Sequence, residues 1–143
     1  MSVTRDIVLS IPQKETHPTV VVNEEGITYN LPVAPLLRFH GSISWPQIAA
    51  LYPGEFTSQR RGAPVTSSYL AIIPRDVLSF LKSTYSSPLK RIMAGGQVQM
   101  YGGPLNIFQR FIPISPQSLF SQIVAQYRDK IDMYGIKTEK ESV

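Results

Sequence analysis

Residues 43–74 read ISWPQIAALYPGEFTSQRRGAPVTSSYLAIIP, and the fold turns on how this stretch divides. Ser44 with Gln47 three residues later forms a capping box, S-x-x-Q, and predicts a helix start. Ile48, Ala49, Leu51 and Tyr52 give that helix a broad apolar side. Pro53 stops it, because proline lacks an N–H and disfavours helical dihedrals in the residue before it. Gln59-Arg60-Arg61-Gly62 then reads as an exposed basic turn, and Val65 to Ile73 as an apolar strand ending at Pro74. The expected unit is a short helix and a strand that hold two arginines out on their connection. A rigid scaffold presenting charge on a loop makes a binding surface.

On the N-terminal side, Asp6 to Ile11 alternates weakly and reads as an edge strand or an arm. Thr19 to Asn23 carries three consecutive valines, Glu24-Glu25-Gly26 is a turn, and Ile27–Val33 and Leu36–Ile43 alternate as further strands. On the C-terminal side, Asp76 to Thr84 is compatible with a short helix or a strand. Ser86-Ser87-Pro88 is a turn, Gln97 to Tyr101 is a strand bracketed by Gly95-Gly96 and Gly102-Gly103, and Asn106 to Ile114 closes the sheet.

The last segment has the clearest local grammar. Ser115 is an N-cap, Pro116 fills the first helical position, and Gly135 stands where a left-handed terminator belongs. Leu119, Ile123, Tyr127 and Ile131 recur every four residues, widened by Phe120, Val124 and Tyr134. Burying such a stripe contributes roughly 1.5–3 kcal/mol per large side chain, so the helix should dock on the sheet. The expected fold is therefore α+β: one compact domain, mainly antiparallel sheet, with a short central helix and a C-terminal amphipathic helix packed on it. Residues 1–18 form an N-terminal arm, mobile or used in self-association, 19–136 the domain, and 137–143 a charged, frayed tail.

The 143 residues suffice for one domain with a real core. Only 17% are charged while 12 are proline, which favours short strands and turn-rich loops over long exposed helices. No run approaches the ~18 apolar residues of a spanning helix, and Met1 to Ser10 lacks a signal-peptide layout, so neither membrane spanning nor secretion is expected. The absence of cysteine removes disulfide and thiolate chemistry and fits a reducing compartment.

The net charge of +4 is unevenly laid out. Residues 26–115 hold eight basic residues against Glu55 and Asp76, a local +6, while residues 1–25 carry −2. That is an electrostatic footprint for an anionic partner, lipid head groups or nucleic acid. The residues assigned to it are Arg38, Arg60, Arg61, Lys82, Lys90, Arg91 and Arg110.

Catalytic chemistry is sparse. His17 and His40 are not in ligand-spaced pairs, no serine lies in G-x-S-x-G, and no Lys-Ser/Thr follows the glycine pairs. Only Glu55 and Asp76 could serve as central carboxylates, so no catalytic residue, metal or cofactor is expected. Trp45 and seven tyrosines raise base stacking, but strand aromatics ordinarily fill the core, and that is the expectation here.

Several strings, in this order, resemble the matrix proteins of rhabdoviruses. Ile48-Ala49-Ala50-Leu51, Arg60-Arg61-Gly62 and Tyr69-Leu70-Ala71-Ile72-Ile73 look like the family's Ala-rich helix, basic Gly loop and apolar strand. Pro88-Leu89-Lys90-Arg91-Ile92 leads to the Gln97–Tyr101 strand, and Tyr127-Arg128-Asp129-Lys130-Ile131-Asp132-Met133-Tyr134-Gly135-Ile136 looks like the closing helix and its turn. The Lys-rich arm and Pro-Pro-x-Tyr signal of animal-virus members are missing, which suits a compact, plant-virus-like member or the related bornavirus type.

The resemblance implies a viral matrix protein that self-associates, coats the inner membrane face under the virion envelope, and condenses the ribonucleoprotein. Its implied partners are itself, the viral nucleoprotein–RNA complex, anionic lipid and the viral glycoprotein tail, in host cytoplasm or nucleus and at the membrane. The arm, with Asp6, Ile7, Val8, Leu9, Ile11 and Pro12, is assigned to self-association. The alternative is a viral RNA-binding or movement-type protein with no membrane role.

Overall fold

A computed structural model describes residues 6–10, 19–34, 37–84 and 103–139. Among them run seven strands: β1 (Ile7–Leu9), β2 (Val20–Asn23), β3 (Gly26–Ala34), β4 (Leu37–Ser44), β5 (Ile48–Arg60), β6 (Ala63–Pro74) and β7 (Leu105–Phe108). Three helices accompany them: α1 (Val77–Thr84), α2 (Pro116–Gln126) and α3 (Arg128–Met133). The strands make two antiparallel sheets, β1-β2-β3-β4 and β5-β6-β7. The α+β, mainly antiparallel architecture is the one the sequence patterns imply.

In the first sheet, alternation sets the buried face. Val20 and Val22, Ile27, Tyr29 and Leu31, and Phe39 and Ile43 are buried, with more exposed neighbours between them. The second sheet differs. Tyr69 to Ile72 of β6 and all of β7 are buried, so this part of the sheet is covered on both faces and shows no alternation.

The central helix is where expectation fails. The Ser44–Gln47 capping interaction forms, with Ser44 N–H and Oγ each 3.0 Å from Gln47 Oε1. It closes only a single 3-10 turn, Trp45–Gln47, and the chain is extended from Ile48 onward. The helix that the sequence and the resemblance both put at Ile48–Tyr52 is a strand. Helix preference in Ala-Ala-Leu is worth tenths of a kcal/mol per residue, and so short a helix is marginal alone. Extended pairing instead runs from Ile48↔Pro74 to Arg60↔Ala63 and buries Ile48, Leu51 and Tyr52.

The C-terminal expectations hold in detail. Ser118 N–H donates to Ser115 Oγ at 3.0 Å, and Leu119, Ile123, Tyr127 and Ile131 are all buried. The helix does break once, at Tyr127 (φ −124°, ψ 30°), whose ring turns inward against Trp45 and whose hydroxyl donates to Val22 O at 3.2 Å. α2 packs on β5 and β6 while Tyr127 reaches β2, so the helix pair joins the sheets. At Gly135 (φ 60°), Ile136 N–H bonds Ile131 O and Gly135 N–H bonds Asp132 O, the paired bonds of a Schellman stop.

Of the two readings of Asp6 to Ile11, edge strand or arm, the described residues take the edge strand. β1 pairs with β2 of its own chain and buries Ile7. Lys137, expected to fray, exchanges backbone bonds with Ala49 O and Leu51 N–H on the edge of β5. Asn106 to Ile114 is a strand only to Phe108 and then turns through Gln109–Phe111. The turn at Ser86 and the strand at Gln97–Tyr101 lie outside the described residues.

Candidate anion-binding surface

β5 and β6 form a hairpin closed by two residues, Arg61 and Gly62. Both have positive φ, 53° and 78°, as a two-residue turn of the primed kind requires to match strand twist. Glycine adopts this freely. An arginine there costs on the order of 1 kcal/mol, so Arg61 is exposed on a turn that asparagine or glycine would make better.

β7 covers β6 only from Tyr69 to Ile72. Beyond Gly54 and Tyr69 the hairpin continues through six further residue pairs, Glu55↔Ser68 to Arg60↔Ala63, a projection of roughly 20 Å. Glu55, Thr57, Gln59 and Arg61 to Thr66 are exposed along it, Phe56 is half-buried at its base, and the Thr57 and Thr66 hydroxyls meet at 3.0 Å across the strands. Two-stranded ribbons are marginal alone in water, so this one depends on its buried stem.

Arg110 stands beside that stem. Its guanidinium carbon lies 5.0 Å from the centre of the Phe108 ring and 4.8 Å from that of Phe111, a cation–π seat on two buried rings. Among the described residues neither Arg61 nor Arg110 has a carboxylate within ion-pair distance. Their charge is therefore presented outward.

The remaining predicted positions disperse. Arg60 is the last residue of β5, beside the turn. Lys82 is exposed on α1, which begins beyond the far end of β6. Arg38 lies on β4 in the other sheet, and Lys90 and Arg91 lie outside the described residues. Arg75, counted in the central positive charge, is a clamp: its Nε donates to Pro46 O at 2.9 Å and its guanidinium to Tyr134 O, tying the sheet junction to the end of α3. Of the self-association set, Ile7 is committed to its own core, Asp6 and Val8 are exposed, Leu9 is half-buried, and Ile11 and Pro12 lie outside the described residues.

Asp76 is spent as a cap, accepting from Ser79 N–H at 3.0 Å. Among the described residues no three histidine, aspartate or glutamate side chains gather to hold a metal, and no helix is long and apolar enough to cross a membrane. Trp45 is buried, its Nε1 donating to Asn23 O at 2.9 Å, and is not a stacking platform. Burial pushes the Tyr52 phenol above its ordinary value.

The projecting ribbon was missed by local reading. One signal for it is present, the near-symmetric polar runs Thr57-Ser58-Gln59 and Thr66-Ser67-Ser68 on either side of Arg-Gly. No family model, curated protein or solved structure matches the chain.

Proposed function

We propose that this chain is a viral matrix protein, binding an anionic membrane face and the viral ribonucleoprotein through a basic hairpin and assembling through its sheet edge. The observation that carries this reading is the hairpin itself: a ribbon of roughly 20 Å ending in Arg60-Arg61-Gly62, with Arg61 exposed and carrying no ion pair among the described residues. The family resemblance supplies the biological setting, and the local +6 of residues 26–115 agrees with an anionic partner.

Magnitude then demands many copies. Each Lys or Arg at an anionic surface contributes about 1 kcal/mol, so three well-placed side chains give ~3 kcal/mol, about a hundredfold. That is too weak to hold one subunit, and assembly multiplies it by avidity. β1 supports assembly, being the outer strand of its sheet among the described residues with Val8 54% exposed, a site where a second copy's strand can add.

Flotation with anionic vesicles tests the hairpin, using Arg60→Glu with Arg61→Glu. Loss of flotation is expected, and unchanged flotation removes the hairpin from the reading. Salt-dependent RNA binding by a persistent monomer, with no lipid preference, favours the RNA-binding or movement-type alternative.

A further inference from the structure

β7 leaves β6 one pair after Ile107↔Leu70, at Phe108↔Tyr69, and the chain then turns away through Gln109–Phe111. Next to the stem of the ribbon this opens a groove of about 300 Å3, lined by Thr66, Ser67, Ser68, Phe108, Gln109 and Arg110. Among the described residues the polar side chains lining it are hydroxyls, an amide and the guanidinium, with Glu55 across the ribbon from Ser68 but not in the lining. The β7-facing backbone edge of Thr66–Ser68 has no strand partner among the described residues, so the wall adds backbone N–H and C=O groups to those side chains, and the N–H groups are the ones an anion can use.

The cation is held in place before any ligand arrives. Tyr69 meets Phe108 at 6.2 Å with the rings tilted by 58°, Phe108 meets Phe111 edge-on at 5.8 Å, and Arg110 spans the last two rings. Gly54 makes room for the first ring, since a Cβ there would come within 2.6 Å of Tyr69 Cζ. A planar guanidinium fixed over rings loses little side-chain freedom on binding, and its fork matches two oxygens of a phosphate where an ammonium offers a point charge.

We propose that the groove between the Thr66–Ser68 edge of β6 and Arg110 binds the phosphate monoester of a lipid head group. This rests on the membrane reading above and deepens it, separating one shaped phosphate site from the diffuse attraction of the hairpin tip. Arg110 grips two phosphate oxygens, and donors from the Thr66–Ser68 edge and Gln109 take the rest. Arg61, on the order of 15 Å farther out on the same ribbon, meets the same charged surface. Head groups bearing a monoester are thereby preferred over phosphatidylserine, whose phosphate is a diester.

The test compares the full chain with Arg110→Lys, which keeps the charge and loses the fork. Vesicles containing phosphatidic acid or phosphatidylserine are matched in surface charge, and glycerol 3-phosphate is titrated in solution while the amides of residues 66–68 and 109–110 are followed by NMR. Wild type should favour phosphatidic acid about tenfold, and those amides should shift with glycerol 3-phosphate. Arg110→Lys should lose the preference and the amide shifts while keeping its unfolding midpoint. Wild type binding both vesicles equally overturns the groove and leaves the matrix reading standing. Amide shifts with glycerol 3-phosphate but no vesicle binding overturn the lipid assignment and the membrane reading together. Displacement of vesicles by a short oligoribonucleotide at far lower concentration than glycerol 3-phosphate also overturns the lipid assignment.

Discussion

The indole of Trp45 and the ring of Tyr127 lie 5.2 Å apart at 31°, and their polar atoms bond adjacent carbonyls of one strand. Trp45 Nε1 donates to Asn23 O and Tyr127 OH to Val22 O. One residue begins the link between the two sheets and the other breaks the C-terminal helix, so this pair fastens three parts of the fold at a buried point. Lys130 adds an outer tie to Glu24 at 3.6 Å.

Tyr127→Phe removes the buried bond to Val22 O and keeps the ring. It should cost about 1–2 kcal/mol, measured by urea unfolding. Trp45 is the sole tryptophan, so its fluorescence reports the transition directly. A change below a few tenths of a kcal/mol would show that the hydroxyl is not fastening β2.

Arg61→Asn should move stability and binding in opposite directions. Asparagine tolerates the positive φ, so the hairpin gains about 1 kcal/mol, read as a higher unfolding midpoint. Loss of the cation should weaken anionic-vesicle binding about fivefold, from about 1 kcal/mol per basic side chain. If both rise together, the arginine is not kept at this turn for its charge.

Gly54→Ala should push the buried Tyr69 ring off its seat against Phe108. An overpacking cost of about 1–3 kcal/mol is expected, with an altered near-ultraviolet circular dichroism spectrum. An unchanged spectrum and stability would mean that the stem has slack at this contact.

Tyr52 predicts an alkaline limit. Burial raises the folded phenol above its ordinary 10.0, so in rising pH the unfolded chain ionises first. The stability this group contributes is complete below pH 10 and is lost as pH climbs through the folded value. Urea unfolding at pH 8 and above 10 should show Tyr52→Phe losing less stability over that interval than wild type. Equal losses would assign the alkaline sensitivity to other groups.

How much was legible follows the range of each interaction. The Ser115 cap, the Pro116 start, the Gly135 stop and the every-fourth-residue stripe are written within a few residues of one another, and all are present. Strands β2, β3 and β4 were legible for a similar reason, because period-two burial needs only one strand and one covered face. The Arg-Gly turn was legible as a turn but not as the tip of a ribbon.

Sequence alone determined the fold class, the closing helix, the basic middle of the chain and the exposed arginine turn, since caps, periodicity and charge are local properties. Tertiary structure decided that Ile48–Arg60 is a strand, because its local helix signal is worth tenths of a kcal/mol per residue against a whole ladder of cross-strand bonds to β6. It also decided that Arg110 stands beside Thr66–Ser68, since the β6–β7 register brings together residues more than forty positions apart and aromatic packing then fixes the guanidinium there.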